Sequence, residues 1–266
     1  MVKWTVGRAV TEVLPGVFFV EGPAANWVIL TEPDSRRFTL IDTGYPGDRD
    51  RLLMSLAHVG RTLDDCAALL ITHGHSDHIG SAAVVAAHGV PVYAHALELA
   101  NIRREITEQI TVKDLGWRVL APRVLVWVAH AVAAGGLGNV AVQTVQPLDG
   151  AVLASLPGRL EAIHTGGHTT GHTAYLCRDA GLVVCGDVLI GGHAISPWVG
   201  PQLLPAPFHV DPAGIREAAA KMGTPELIWL LPGHGPAWTL PQGQPADFSD
   251  QGVRSADYWP FGRRRS

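Results

Sequence analysis

The sequence predicts an α/β protein, and three observations carry that reading. Residues Ala67 to Thr72 form an uninterrupted apolar run of strand length, as a strand buried on both faces does. From Phe38 to His95, strand-like and helix-like sequence alternate as in a β-α-β unit. The second half then returns to short strand-rich segments parted by tight turns. The chain has 266 residues, 47% apolar and 17% charged, which is ample for one domain or two closely packed halves. Disordered and low-complexity chains are excluded, because they are poor in Val, Ile and Leu and rich in charge.

In order, Gly16–Glu21 and Ala25–Thr31 read as strands separated by Gly22 and Pro23. Phe38–Asp42 is a third strand, ending at the turn Thr43-Gly44. Asp48–His58 places Leu52, Leu53 and Leu56 on one helical face, and Gly60 closes it. After Ala67–Thr72 comes a polar hexapeptide, then an Ala- and Val-rich helix over Ile79–His88. Gly89 is its C′ residue and Pro91 prevents continuation. Val90–His95 returns as a strand. Residues 96–141 differ in character: polar helical sequence (Glu98–Lys113) gives way to the apolar stretch Val119–Ala134 and Gly135-Gly136. This reads as a helical insertion, packed on the core or on a second copy in a homodimer, or else a lid over a site. Strands follow at Arg159–Thr165, Thr173–Arg178, Leu182–Asp187 and Leu227–Leu231. Asp211 with Pro212 is an N-cap with proline at N1, and Gly223 ends that helix. The whole chain, 1–266, is expected to be one domain, with a loose polar tail over about 241–266.

The formal net charge is −4, so no broad basic surface for nucleic acid is expected. Three cysteines, Cys66, Cys177 and Cys185, are too few and of the wrong parity for a disulfide framework. Cys177 and Cys185 flank a tight turn and are expected as near neighbours, both reduced. No segment has the unbroken apolar core of a signal peptide or the roughly twenty residues of a membrane span. A cytoplasmic protein is expected.

The 13 histidines matter through their placement. His73, His75, Asp77 and His78 stand within six residues directly after the buried strand. Side chains two apart on extended backbone point the same way, so His73, His75 and Asp77 are expected to converge, with His78 approaching as the chain turns into a helix. Imidazole and carboxylate suit Zn²⁺, Mn²⁺ or Fe²⁺, and without thiolate the set is unlike a structural Cys-rich zinc site. Other short side chains stand between glycines after apolar strands: His168 and His172 in Gly166–His172, Asp187 after Gly186, and His234 between Gly233 and Gly235. Asp42, ending Phe38–Ile41, fits the same pattern. Cys185, two residues before Asp187, reads as a buried small residue rather than a ligand.

His73–His78, together with Ile41–Gly44, Gly167–Gly171, Gly186-Asp187 and Gly233-His234 in that order, resembles the metallo-β-lactamase-fold hydrolase superfamily over residues 41–234. The resemblance implies a four-layer αββα sandwich and a two-metal centre. His73, His75 and His168 would hold one metal, Asp77, His78 and His234 the other, and Asp187 would bridge them. Asp42 would orient a ligand by hydrogen bonding, and so would His172, the competitor of His168 on the same loop. Such a pair, most simply Zn²⁺ with Fe or Mn as alternatives, activates a bridging hydroxide. Asp77 and Asp187 are the candidate catalytic carboxylates. An aspartate at the bridging position is more similar to the glyoxalase II and lactonase branch than to true β-lactamases. The implied function is therefore hydrolysis of an ester, thioester or lactone. The alternatives are iron-dependent sulfur or oxygen chemistry of the persulfide dioxygenase type, and β-lactam or phosphodiester hydrolysis. His193, Trp198 and Tyr45 are the leading candidates for substrate contacts, ahead of Trp27, Trp117 and Trp127. The apolar insertion suggests a small acyl or otherwise lipophilic substrate.

Overall fold

Each half of the sequence builds one sheet. The computed structural model describes residues 3–224 and 226–241, with Gly243, Phe248 and Pro260. The expected loose tail therefore lies almost wholly outside the described residues. The first half, after the short helix α1 (Val6–Ala9), supplies β1 (Val10–Leu14), β2 (Val17–Val20), β3 (Trp27–Thr31), β4 (Phe38–Ile41), β5 (Cys66–Leu70), β6 (Val92–Ala94) and β7 (Gln146–Pro147), in chain order across the sheet. β1 to β4 form an antiparallel meander, and β4 to β7 run parallel. The parallel crossovers carry α2 (Arg49–His58) and α3 (Ala82–Ala87), then α4 (Leu99–Ile102), α5 (Val112–Leu115) and α6 (Pro122–Ala133) before β7.

The second half begins with α7 (Gly150–Ser155) and supplies β8 (Glu161–His164), β9 (Thr173–Cys177) and β10 (Leu182–Gly186). A hairpin of β11 (Ile190–Gly192) and β12 (Val199–Gln202) follows, then α8 (Pro212–Ala220), β13 (Trp229–Pro232) and β14 (Trp238–Thr239). The second sheet has the order β14-β13-β10-β9-β8.

The period of two along each strand decides the layers. Val28 and Leu30 of β3 and Ala68 and Leu70 of β5 meet Tyr175, Leu182, Val184 and Leu231 in one apolar layer between the sheets. Trp27, Ile29 and Leu69 face the other way, onto Leu52 and Leu56 of α2 and Ala82 and Val85 of α3. Leu176, Val183 and Leu230 of the second sheet pack on Ile215, Ala218 and Ala219 of α8. The order is thus helix, sheet, sheet, helix, the αββα sandwich. A fourth cluster joins Leu115, Ala121 and Val124 to Ile190, Ile195, Leu204 and Phe208, fixing the α5–α6 segment beside the β11–β12 hairpin.

Several expectations change. The strand read as Ala67–Thr72 ends at Leu70, and the helix read from Ile79 begins at Ala82, because Gly80 N is bonded to Gly44 O. The continuous helix over Glu98–Lys113 is broken. α4 stops at Ile102, Arg104 adopts a φ of 60°, and residues 103–111 run irregularly past the polar hexapeptide. β1 escaped notice because an edge strand with exposed Thr11 and Glu12 has no apolar alternation. Cys177 and Cys185 lie on opposite faces of the second sheet, Cys177 between the sheets and Cys185 toward α8, so they are not neighbours. Asp211 caps α8 as expected, accepting from Ala213 N and Gly214 N at 3.1 and 3.0 Å.

Candidate metal centre

Five segments deliver side chains to one edge of the sandwich. They are Asp42 after β4, residues 72–78 after β5, the loop 165–172 before β9, Asp187 after β10 and His234 after β13. Asp42, His73, His75, Asp77, His78, His168, His172, Asp187 and His234 are all buried. Asp42 holds a φ of 61°, an uncommon conformation for a residue with a side chain. Gly233 is required by close approach: a Cβ there would overlap Asp187 Oδ1 and stand 2.7 Å from His78 Cε1.

The side chains fall into three overlapping groups: His73, His75 and His168; Asp77, His78 and His234; and, between them, His73, His78 and Asp187. The simple alternation along the hexapeptide therefore does not hold throughout. His73 and His75 converge, but the turn that bonds His78 N and Ile79 N to His75 O carries Asp77 into the group of His78 and His234. Asp187 is central, with carboxylate oxygens 3.1 Å from His234 Nε2, 3.5 Å from His168 Nε2, 3.6 Å from His78 Nε2 and 4.0 Å from His73 Nε2.

Each imidazole in the three groups has its outer nitrogen occupied. His78 Nδ1 donates to Asp42 Oδ2 at 2.8 Å. Thr72 Oγ1 donates to the same oxygen at 2.7 Å and so accepts from His73 Nδ1 at 3.0 Å. His75 Nε2 donates to Glu108 O at 2.7 Å, and His234 Nδ1 to Ala24 O at 2.8 Å. His209 Nε2 donates to Leu204 O at 3.0 Å, which leaves its Nδ1 to accept from His168 Nδ1 at 3.0 Å. These partners fix the tautomers and leave the inner lone pairs of His73, His75, His78, His168 and His234 facing one another.

Bare lone pairs need a cation. His73 Nε2, His78 Nε2 and Asp187 Oδ1 are buried with no hydrogen-bond partner, which costs free energy unless something else satisfies them. His75 Nδ1 and His168 Nε2 face each other at 3.2 Å. Two nitrogens on one tetrahedral zinc at ~2.0–2.1 Å would stand about 3.3 Å apart. The residues therefore fit a metal. Electrostatics agree. Burial first, then neighbouring imidazoles, hold His73 and His168 well below the ordinary imidazole range, so both are neutral donors. For His78, burial is the largest effect and opposes charge, but Asp187, Asp42 and Asp77 together outweigh it and lift the pKa to about 10, so without an ion a proton takes the place at Nε2 that a metal would fill. Burial alone would raise Asp187; His234 and His78 hold it well below the carboxylate range. The buried carboxylates draw positive charge to the point where the lone pairs converge.

His172 is engaged differently. Its Nε2 accepts from Asp187 N at 3.0 Å and its Nδ1 meets Thr165 Oγ1 at 2.6 Å, so neither nitrogen is free. Burial presses its pKa to about 3, in keeping with an acceptor role.

A family model described as the metallo-beta-lactamase superfamily matches residues 21–234, from the end of β2 to the last histidine of the centre. The chain belongs to this superfamily. Among its curated relatives, it is 28% identical over 235 residues to "Probable metallo-hydrolase YflN" of Bacillus subtilis (strain 168), covering 86% of this chain and 83% of that protein. It is 30% identical over 171 residues to "Probable metallo-hydrolase YybB" of the same organism, with 63% of each chain covered. The hydroxyacylglutathione hydrolase of Ectopseudomonas mendocina (strain ymp) is 30% identical over 165 residues, 62% of this chain and 47% of that one. The chain thus spans less than two thirds of the latter two. Among solved structures, the metallo-beta-lactamase family protein TTHA1429 from Thermus thermophilus shares the fold with a TM-score of 0.61 at 22% identity, covering 86% of this chain and 76% of that one. TTHA1623, solved in a di-iron-bound form, is 27% identical with a TM-score of 0.54, covering 82% and 91%.

In this superfamily member the centre opens through a narrow mouth lined by Tyr45, Gln109, Ile110, Trp127, His193 and Phe208. Tyr45 and His193, two of the leading candidates for substrate contacts, both line this mouth. Trp198 lines a separate cavity beside the mouth. Trp27 is core, its Nε1 donating to Ser55 Oγ at 3.0 Å, and Trp117 is exposed. Sequence reasoning missed Thr72, Glu98, Glu108, Gln109 and His209. Glu98 is fully buried, accepting from Gly74 N and Asn101 Nδ2 at 2.7 Å, Thr169 Oγ1 at 2.8 Å and Gly171 N at 2.9 Å. The only hint in the sequence was a lone carboxylate between Leu97 and Leu99. Among the described residues, no helix is long and apolar enough to cross a membrane.

Proposed function

We propose that this metallo-hydrolase family member is a dinuclear hydrolase that cleaves an ester, thioester or lactone bond in a small acyl or otherwise lipophilic substrate, working in the cytoplasm. The observation that carries the reading is the pair of triads with Asp187 between them, its oxygens within 4.0 Å of His73, His78, His168 and His234. In this reading His73, His75 and His168 hold one ion, Asp77, His78 and His234 the other, and Asp187 bridges; zinc is the favoured metal, since imidazole and carboxylate without thiolate suit it. When bound, two such ions lower the pKa of the water between them toward 7 and polarise the substrate carbonyl.

The chain's own groups complete the chemistry. Asp42 and Thr72, Glu108, His209 and the Ala24 carbonyl keep five imidazoles in the donor tautomer. The Asp77 side chain, at 12% exposure, is more open to the mouth than Asp187 at 2%. In this reading it takes the proton of the attacking water and returns it to the leaving oxygen or sulfur as the acyl C–O or C–S bond breaks. Burial first, then Asp77, Asp48 and Asp187, push the Tyr45 phenol far above its usual range. It keeps its proton and stands in the mouth as a donor to the substrate's oxygen. His172 holds Asp187 by its backbone.

A panel of ester, thioester, lactone, β-lactam and phosphodiester substrates tests the reading. Turnover of one of the first three is expected, lost with chelator and restored by Zn²⁺. Turnover confined to β-lactams or phosphodiesters would contradict it, as would iron-dependent oxygen uptake with a persulfide.

A further inference from the structure

The segment 103–138 lines a half-open cavity of about 280 Å³ beside the mouth of the metal centre. Tyr45, Gln109, Ile110 and Trp127 line both spaces, so the two adjoin. Several of its polar groups belong to the metal-centre loop or are tied to it; Thr107 and Thr111 also line it. Ser76 lies between His75 and Asp77; Gln109 Nε2 donates to Ser76 Oγ at 2.9 Å while its Oε1 accepts from Ser76 N at 3.0 Å; Arg104 Nη1 donates to Gly74 O at 2.6 Å. An aliphatic stretch of wall comes from Val112 and Leu115 of α5, Val128 and Val132 of α6, and Leu137. On the opposite side of Trp127 lies a larger cavity of about 570 Å³, edged by Arg123, His130, His193 and Ser196. Trp127 borders all three spaces.

We propose that the cavity between α5 and α6 is an acyl-chain pocket: an unbranched apolar chain lies along the aliphatic wall, its carbonyl at the metal centre, and the leaving group departs into the larger cavity across Trp127. This rests on the hydrolase reading and extends it to a substrate class. At roughly 30 Å³ per water-sized group, the volume takes a chain of about eight to ten carbons. An apolar chain gains from leaving water, and a fully buried methylene is worth roughly a factor of four. The polar end at Ser76, Gln109 and Arg104 disfavours reversed binding, because a tail there would strip polar groups of water without return.

The test uses the metal-loaded full chain, p-nitrophenyl esters from acetyl to tetradecanoyl, and the variant Ala131→Phe, which fills the pocket from α6. The expected result is a kcat/KM that rises at least tenfold from acetyl to octanoyl and falls beyond about ten carbons. In the variant the octanoyl-to-acetyl ratio should drop at least tenfold, with the optimum moved to shorter chains. Methyl ketones give a readout without hydrolysis: calorimetry should show 2-decanone binding at least tenfold tighter than 2-pentanone, with the preference lost in the variant. Should Ala131→Phe not fold by circular dichroism, Val128→Phe takes its place. Chain-selective ketone binding with no ester, thioester or lactone cleaved would leave the pocket standing and overturn the hydrolase reading. Ester cleavage indifferent to chain length, with ketones bound alike, would overturn the pocket and leave the hydrolase.

Discussion

The Glu98 carboxylate lies between two loops, accepting from Gly74 on one and from Thr169 and Gly171 on the other. Burial pushes its pKa up, and the four hydrogen bonds from Asn101, Thr169, Gly74 and Gly171 pull it back. Glu98→Gln puts an amide NH₂ against donors, and an unsatisfied buried group costs about 1–3 kcal/mol. The variant should unfold at lower denaturant by that amount and bind zinc about 10- to 100-fold more weakly, as loss of a group orienting metal ligands does; chelator competition measures it. His168 and His172 give a sharper contrast. His168→Ala removes an inner lone pair and should abolish at least one equivalent of metal, whereas His172→Ala removes a bond to Asp187 N and should keep most of it. Equal metal loss in the two would contradict the assignment. The motif histidines were legible because glycines and apolar strands frame them. The groups that aim them were not, since Thr72, Glu108 and His209 act through single bonds that leave no spacing in the sequence.

At the scale of elements, the strands and crossover helices around the centre follow from apolar runs and caps, and their bounds moved by only a few residues. The exception is 98–113, where composition favours a helix. The chain breaks instead at Arg104, and the irregular backbone brings Glu108 O to His75 and Gln109 to Ser76. Composition cannot report a backbone bonded to a loop some thirty residues earlier. The turn after β13 is as demanding. Gly233→Ala would drive a methyl into Asp187 and His78, costing about 1–3 kcal/mol by overpacking. Metal should be lost from the Asp77, His78 and His234 group before the other. Thermal melts and metal counts on the variant check both.

In the whole molecule, each triad draws from both halves. His73 and His75 on the first-sheet side meet His168 on the second, and Asp77 and His78 meet His234. Bound metal would therefore staple the two sheets together. If free zinc is held at about 100 times its Kd, linkage adds about 2.7 kcal/mol per site. For a chain of this size each site raises Tm by roughly 5–10 °C, so chelating both ions should lower the melting temperature by roughly 10–20 °C and zinc should restore it. An unchanged Tm with metal demonstrably removed would contradict the staple. The sandwich was legible because both sheets announce their buried strands and the five motifs occur in order. The chemistry of the substrate was not, because it depends on cavities that the α5–α6 segment closes only once folded. The most direct measurement is the metal content of chain purified without chelator and re-equilibrated with zinc, by mass spectrometry of the eluted ions. Two zinc ions per chain, both lost when Asp187 is replaced by Ala, are expected. A single ion per chain, or none with zinc in excess, would contradict a centre bridged by Asp187.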